Sequence, residues 1–77
     1  MIYKMFDKVL MKDGRSASIV EVYGNGDEYD VDVDIPEEGS WETKTVHPKD
    51  IVRKLTEKEI KAISEQYDRV LTNMYGD

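Results

Sequence analysis

Glu28-Tyr29-Asp30-Val31-Asp32-Val33-Asp34-Ile35 alternates without a break. Successive side chains of an extended chain point to opposite sides, so Tyr29, Val31, Val33 and Ile35 share one face and Glu28, Asp30, Asp32 and Asp34 the other. Such a segment needs one face dry and one wet, the situation of a strand in an antiparallel sheet. Gly24-Asn25-Gly26 in front of it supplies turn conformations at little steric cost, and Pro36 behind it cannot donate to a ladder.

Working outward, four more short β-like runs appear. Lys4 to Met11 ends at Lys12-Asp13-Gly14-Arg15, where Asp-Gly favours a two-residue hairpin with positive φ at both central positions. Ser16 to Tyr23 follows and turns at Gly24 into the acidic strand. Glu37-Glu38-Gly39-Ser40 leads to Trp41 to Val46, and His47-Pro48-Lys49-Asp50 makes a single short turn before Ile51 to Leu55. Five strands in about 50 residues, joined by tight turns, are the plan of a five-stranded SH3-like β-barrel, whose closure hides the sheet edges.

Thr56-Glu57-Lys58-Glu59 matches a capping box, in which hydroxyl and carboxylate reciprocally satisfy orphan amides. At ~100° per residue, Ile60, Ile63, Tyr67, Val70, Leu71 and Met74 make one apolar stripe, and Gly76 marks the end. The fold class expected is therefore mainly β: a barrel over residues 1–55 with one C-terminal amphipathic α-helix over 56–77, forming a single domain. About 19 residues make a helix of roughly 28 Å, long for so small a barrel. Its surplus stripe allows a homodimer through the C-terminal helix.

Composition narrows the functional classes. Without cysteine there are no disulfides, thiol nucleophiles or thiolate metal sites, and no apolar run approaches a membrane span or a signal peptide. The expectation is a cytoplasmic protein with no membrane partner. Net charge is −6, and seven acids (Asp27, Glu28, Asp30, Asp32, Asp34, Glu37, Glu38) stand with no base between Asp27 and Glu38, while elsewhere ten acids nearly balance eleven bases. Any argument from charge concerns that one segment.

Phe6-Asp7-Lys8-Val9-Leu10, Lys12-Asp13-Gly14-Arg15, Ile19-Val20-Glu21-Val22-Tyr23-Gly24, Tyr29-Asp30-Val31 and Lys49-Asp50-Ile51 resemble the small bacterial barrels of the KOW/SH3-like type, over about residues 6 to 55. The resemblance implies a fold first. It also implies a reading as an RNA or ribosome binder, since KOW domains often bind RNA or ribosomal and transcription proteins. The acidic third strand departs from that pattern, as do Ser16 and Ala17 where glycine is often found.

Chemistry is sparse. Asp30, Asp32 and Asp34 begin like an EF-hand loop, but Ile35 and Trp41 stand where its glycine and glutamate belong, and alternate strand carboxylates lie ~6.8 Å apart. His47 is the sole histidine, in a turn, so no triad or zinc set is available. No catalytic residue, metal ligand or cofactor is assigned, and enzyme activity is not expected. Trp41 and Val46 have opposite parity on one strand, so one of them leaves the core, either under the helix or into a binding surface with Tyr23 or Tyr29.

The leading expectation is a protein-interaction module using the acidic face and the adjoining aromatics Trp41, Tyr23 and Tyr29, with a protein partner that offers a basic surface. The alternative on the same face is an acidic nucleic-acid mimic of the phage or mobile-element type, an inhibitor of a nuclease or DNA-binding protein. Direct nucleic-acid binding would have to use Lys4, Lys8, Lys12, Arg15, Lys44, Lys49, Arg53 and Lys54 against the net repulsion, and ranks last.

Overall fold

The computed structural model describes residues 3–75, with side chains through Asn73. Five strands form one antiparallel sheet: β1 (Lys8–Met11), β2 (Ser16–Tyr23), β3 (Glu28–Ile35), β4 (Ser40–Val46) and β5 (Ile51–Lys54), in the order β4-β3-β2-β1-β5. Helix α1 (Glu57–Tyr75) follows. Short 3-10 turns occupy Pro36–Glu38 and Pro48–Asp50.

The inner face of β3 behaves as its alternation dictates. Tyr29, Val31 and Val33 are buried among Val9 and Met11 of β1, Ala17 and Ile19 of β2, Val46 of β4, Ile51 of β5, and Tyr3. The rings of Tyr3 and Tyr29 meet edge to face at 5.8 Å, and the Tyr29 hydroxyl accepts the Tyr3 amide N–H at 3.1 Å, so the one polar atom of that ring is satisfied. β2 changes parity within itself. An irregularity between Ile19 and Glu21 lets Ala17, Ile19 and then Val22 all turn inward, and such an extra residue bends a strand.

Closure is incomplete, correcting the expectation of a closed barrel. β5 pairs with β1, yet β4 and β5 share no ladder. His47 and the 3-10 turn intervene, and β5 has only four residues, of which Ile51, Arg53 and Lys54 pair with β1. The seam is a cleft of about 200 Å³ lined by Met11, Val33, Lys44, Val46 and Asp50 among others.

Two local expectations also change. Residues 4–7 form a turn instead of the start of β1: the Asp7 carboxylate accepts the Lys4 N–H at 2.8 Å, the Asp7 N–H returns to the Lys4 carbonyl at 3.1 Å, and Phe6 takes φ 72° with its side chain 81% exposed. At the first hairpin only Gly14 has positive φ, 90°, and the Gly14 and Met11 amides donate to the Met11 and Arg15 carbonyls. This is a longer loop with one left-handed glycine, not a two-residue turn.

The helix starts where the capping box places it. The Glu59 N–H donates to the Thr56 hydroxyl at 3.2 Å, and the Thr56 N–H to the Glu59 carboxylate at 2.9 Å. Ile60, Ile63, Tyr67 and Val70 are half-buried and Leu71 is exposed, so the stripe lies against the sheet's outer side without being sealed there. Met74 and Gly76, expected to extend and end that pattern, fall outside the described side chains and residues. No helix among the described residues is long and apolar enough to cross a membrane.

Candidate functional site: the outer face of β3 and β4

The cross-strand register places Asp34 opposite Trp41, Asp32 opposite Thr43 and Asp30 opposite Thr45. All six side chains share the outer face, since Val46, Val33 and Val31 take the inner one. The parity conflict on β4 is thus resolved with Val46 inside and Trp41 outside, 63% exposed.

Three aspartates two residues apart have three environments. Asp30 accepts from the hydroxyls of Tyr23 at 2.7 Å and Thr45 at 2.6 Å. These two bonds, Thr45 first, hold its carboxyl below the ordinary range, and the Asp30 bond pushes the Tyr23 phenol up. Asp32 accepts from Thr43 at 2.6 Å. Asp34 is buried: Lys8 Nζ lies 2.7 Å away, the Ser16 hydroxyl donates at 2.5 Å, and the Tyr67 hydroxyl of α1 sits at 3.3 Å. The Tyr67 hydroxyl also donates to the Ser40 carbonyl at 2.6 Å and accepts the Ile35 N–H at 3.1 Å. Burial, then the Asp34 charge, disfavours its phenolate and raises its pKa. Tyr67 is therefore the bolt between helix and sheet.

Two of the expected site residues are corrected. Tyr29 is fully buried in the core, so it offers a partner nothing; its place on the apolar face of β3 already pointed there. Asp34 belongs to the helix-to-sheet contact and not to a free acidic row. The remaining acids are distributed around the face. Glu37 is paired with Arg15 at 2.7 Å, which holds its carboxyl down, Glu28 lies 3.5 Å from His47, and Asp27 and Glu38 are exposed in the flanking turns. Sequence order left this segment without a base, whereas the sheet brings Lys8 and Arg15 from β1 and the first hairpin to its edge. The opposite, basic side is correspondingly depleted: Arg53 forks onto Glu59 with two 2.9 Å bonds, and Lys54 lies 3.5 Å from Asp7.

Between sheet and helix runs an open groove of about 350 Å³ lined by Ser18, Asp32, Asp34, Gly39, Trp41, Tyr67 and Leu71. Tyr67 and Leu71 escaped the sequence reading as site residues. The helical stripe that contains them was the available signal, but nothing in it told that they would stop beside Trp41 instead of covering it. A second cleft of about 440 Å³ lies under the first half of α1, among Leu10, Ser16, Pro36, Leu55, Ile63 and Gln66. It is larger, yet Arg15 with Glu37 and Arg53 with Glu59 already satisfy its charged rim, leaving little to orient a ligand. In the Trp41 groove Thr43 is the one protein donor to the Asp32 carboxylate among the described residues and Trp41 is largely exposed, so the groove offers both a charge and an apolar wall. Among the described residues no three carboxylate or imidazole groups converge as a metal site.

No protein-family model, curated protein sequence or solved structure matches the chain.

Proposed function

We propose that the protein is a non-enzymatic interaction module that captures a basic protein segment on the outer face of β3 and β4. The observation that carries this reading is the juxtaposition of a 63% exposed Trp41 with Asp32 in a groove walled by Tyr67 and Leu71. An arginine or lysine side chain laid along the indole gains a cation–π contact, worth ~0.5–2 kcal/mol, while its charge meets Asp32 and the neighbouring Asp30. Residues flanking it would rest on Leu71. The rest of the acidic segment, above all Asp27, Glu28 and Glu38, steers a basic partner from a distance.

The nucleic-acid mimic uses the same face and is less well supported. A phosphate ladder needs an unbroken exposed row of charges, and Asp34 is neutralised by Lys8 while Glu37 is neutralised by Arg15. Selection of a random peptide library on the immobilised protein tests the proposal. Ligands enriched in arginine or lysine beside an apolar residue, losing about tenfold in affinity with the folded Trp41→Ala variant, are expected. Ligands indifferent to Trp41 and Asp32, or displaced by DNA in competition, would overturn it.

A further inference from the structure

β4 is an edge strand, and its five residues Trp41, Glu42, Thr43, Lys44 and Thr45 are all exposed. Beyond the ladder to β3, none of these five takes part in a backbone hydrogen bond among the described residues. A free edge of this length is a template for another strand, and proteins usually blunt it with charge, proline or a cover. Here the only charges are Glu42 and Lys44, two residues apart on one face and of opposite sign.

That spacing selects a partner. If two copies of β4 pair antiparallel about a two-fold axis normal to the sheet, each residue stays on its own face only when the axis passes through a residue. An axis at Glu42 sets Glu42 against itself, and one at Lys44 sets Lys44 against itself; both oppose like charges. An axis at Trp41 sets Glu42 against Ser40 and one at Thr45 sets Lys44 against Val46, each leaving the other charge opposite a residue outside the strand. Only an axis at Thr43 sets Glu42 opposite the second copy's Lys44, twice. The same register sets Trp41 opposite Thr45, twice, and Thr43 opposite Thr43. Opposite charges, aromatic with β-branched, and threonine with threonine are the pairings that favour a sheet.

We propose that β4 joins β4 of a second copy about Thr43, making a continuous ten-stranded sheet. Five paired residues per chain cover less than a standard interface, so the dimer is weak, dissociating in the micromolar range. Its charge pair is separate from the groove, since Glu42 and Lys44 lie on the other face from Asp32, while Trp41 borders both. Two partners' acidic strands would lie three strand spacings apart, about 14 Å, presenting two charged rows on one surface.

Sedimentation of the full chain over about 5–500 µM, with charge variants, tests the pairing. Glu42→Lys and Lys44→Glu each turn two attractions into two repulsions and should raise the dissociation constant about tenfold or more. An equimolar mixture of the two variants restores complementarity and should form a heterodimer. The double variant Glu42→Lys/Lys44→Glu keeps the net charge and should dimerise like the parent. A parent that stays monomeric throughout overturns the proposal. So does a dimer indifferent to the single variants, or one abolished by Leu71→Asp alone, which would assign association to the helix.

Discussion

Asp32 and Asp34 are the same residue, on the same strand and the same face, one step of the pleat apart, and they have opposite fates. Asp34 lies under α1, ion-paired to Lys8 and bonded by Ser16 and Tyr67; Asp32 lies at the mouth of a groove with Thr43 as its protein donor. The difference comes from remote sequence, because Lys8, Ser16 and Tyr67 all meet at Asp34 while Leu71, one helical turn beyond Tyr67, remains exposed beside the groove. One charge has been spent on holding the helix, and the other is left for a partner. The inner face of the same strand is simpler: apolar packing alone determines it.

Disrupting the inner face should have the largest effect. Tyr29→Ala removes a fully buried ring and leaves the Tyr3 amide without its acceptor, so a loss of about 3–5 kcal/mol is expected, enough to unfold much of a domain this size. Urea titration followed by circular dichroism reads it. Asp34→Ala should cost about 1–3 kcal/mol, less than a fully buried pair because Lys8 keeps a path to water, whereas Asp32→Ala should stay within about 0.5 kcal/mol. Equal losses at the two positions would erase the distinction between them.

Thr56→Ala, at the helix that creates this distinction, should cost about 0.5–2 kcal/mol by removing the cap. Its reciprocal partner Glu59 has its pKa lowered from 4.5 to about 2, chiefly by Arg53 and then by the Thr56 amide. A lowered carboxyl pKa contributes stability that is complete above the unfolded value and is lost as pH falls through the folded one. Thermal melts of the parent should therefore lose this contribution between about pH 5 and pH 2, and Glu59→Gln should lack that part of the slope. The smallest effect is expected at Phe6. Its φ of 72° is costly for a side chain that buries almost nothing, so Phe6→Gly should leave stability unchanged or raise it by up to about 1 kcal/mol.

The legible part of this molecule was the part governed by short-range periodicity. Alternation in β3 gave its two faces, the glycine turns gave the hairpins, and Thr56 with Glu59 gave the start of α1. Less visible was whatever depends on a remote contact. Asp7 closing a turn on Lys4 shortened β1 against its propensity. Lys8 and Arg15 reached the acidic segment only through strand pairing. The burial of Asp34 needed the Tyr67 hydroxyl, and the incomplete seam between β4 and β5 needed the geometry of the His47-Pro48 turn. At the candidate site, Trp41 was found by parity, but Tyr29 was assigned twice, to the core and to the surface, and packing kept the first assignment.

The claim that the outer face recruits a basic partner through Asp30, Asp32 and Trp41 is tested most directly by association kinetics. Asp30→Asn with Asp32→Asn removes two charges and spares Asp34; it keeps an oxygen acceptor for Thr43 and for one of the two hydroxyls on residue 30, while the other hydroxyl can turn to accept from the new amide, so the fold should melt normally. With a basic peptide selected on the parent, the double variant should associate several-fold more slowly and lose much of the salt dependence of its on-rate. A folded double variant that keeps the parent's association rate and salt slope would contradict the account.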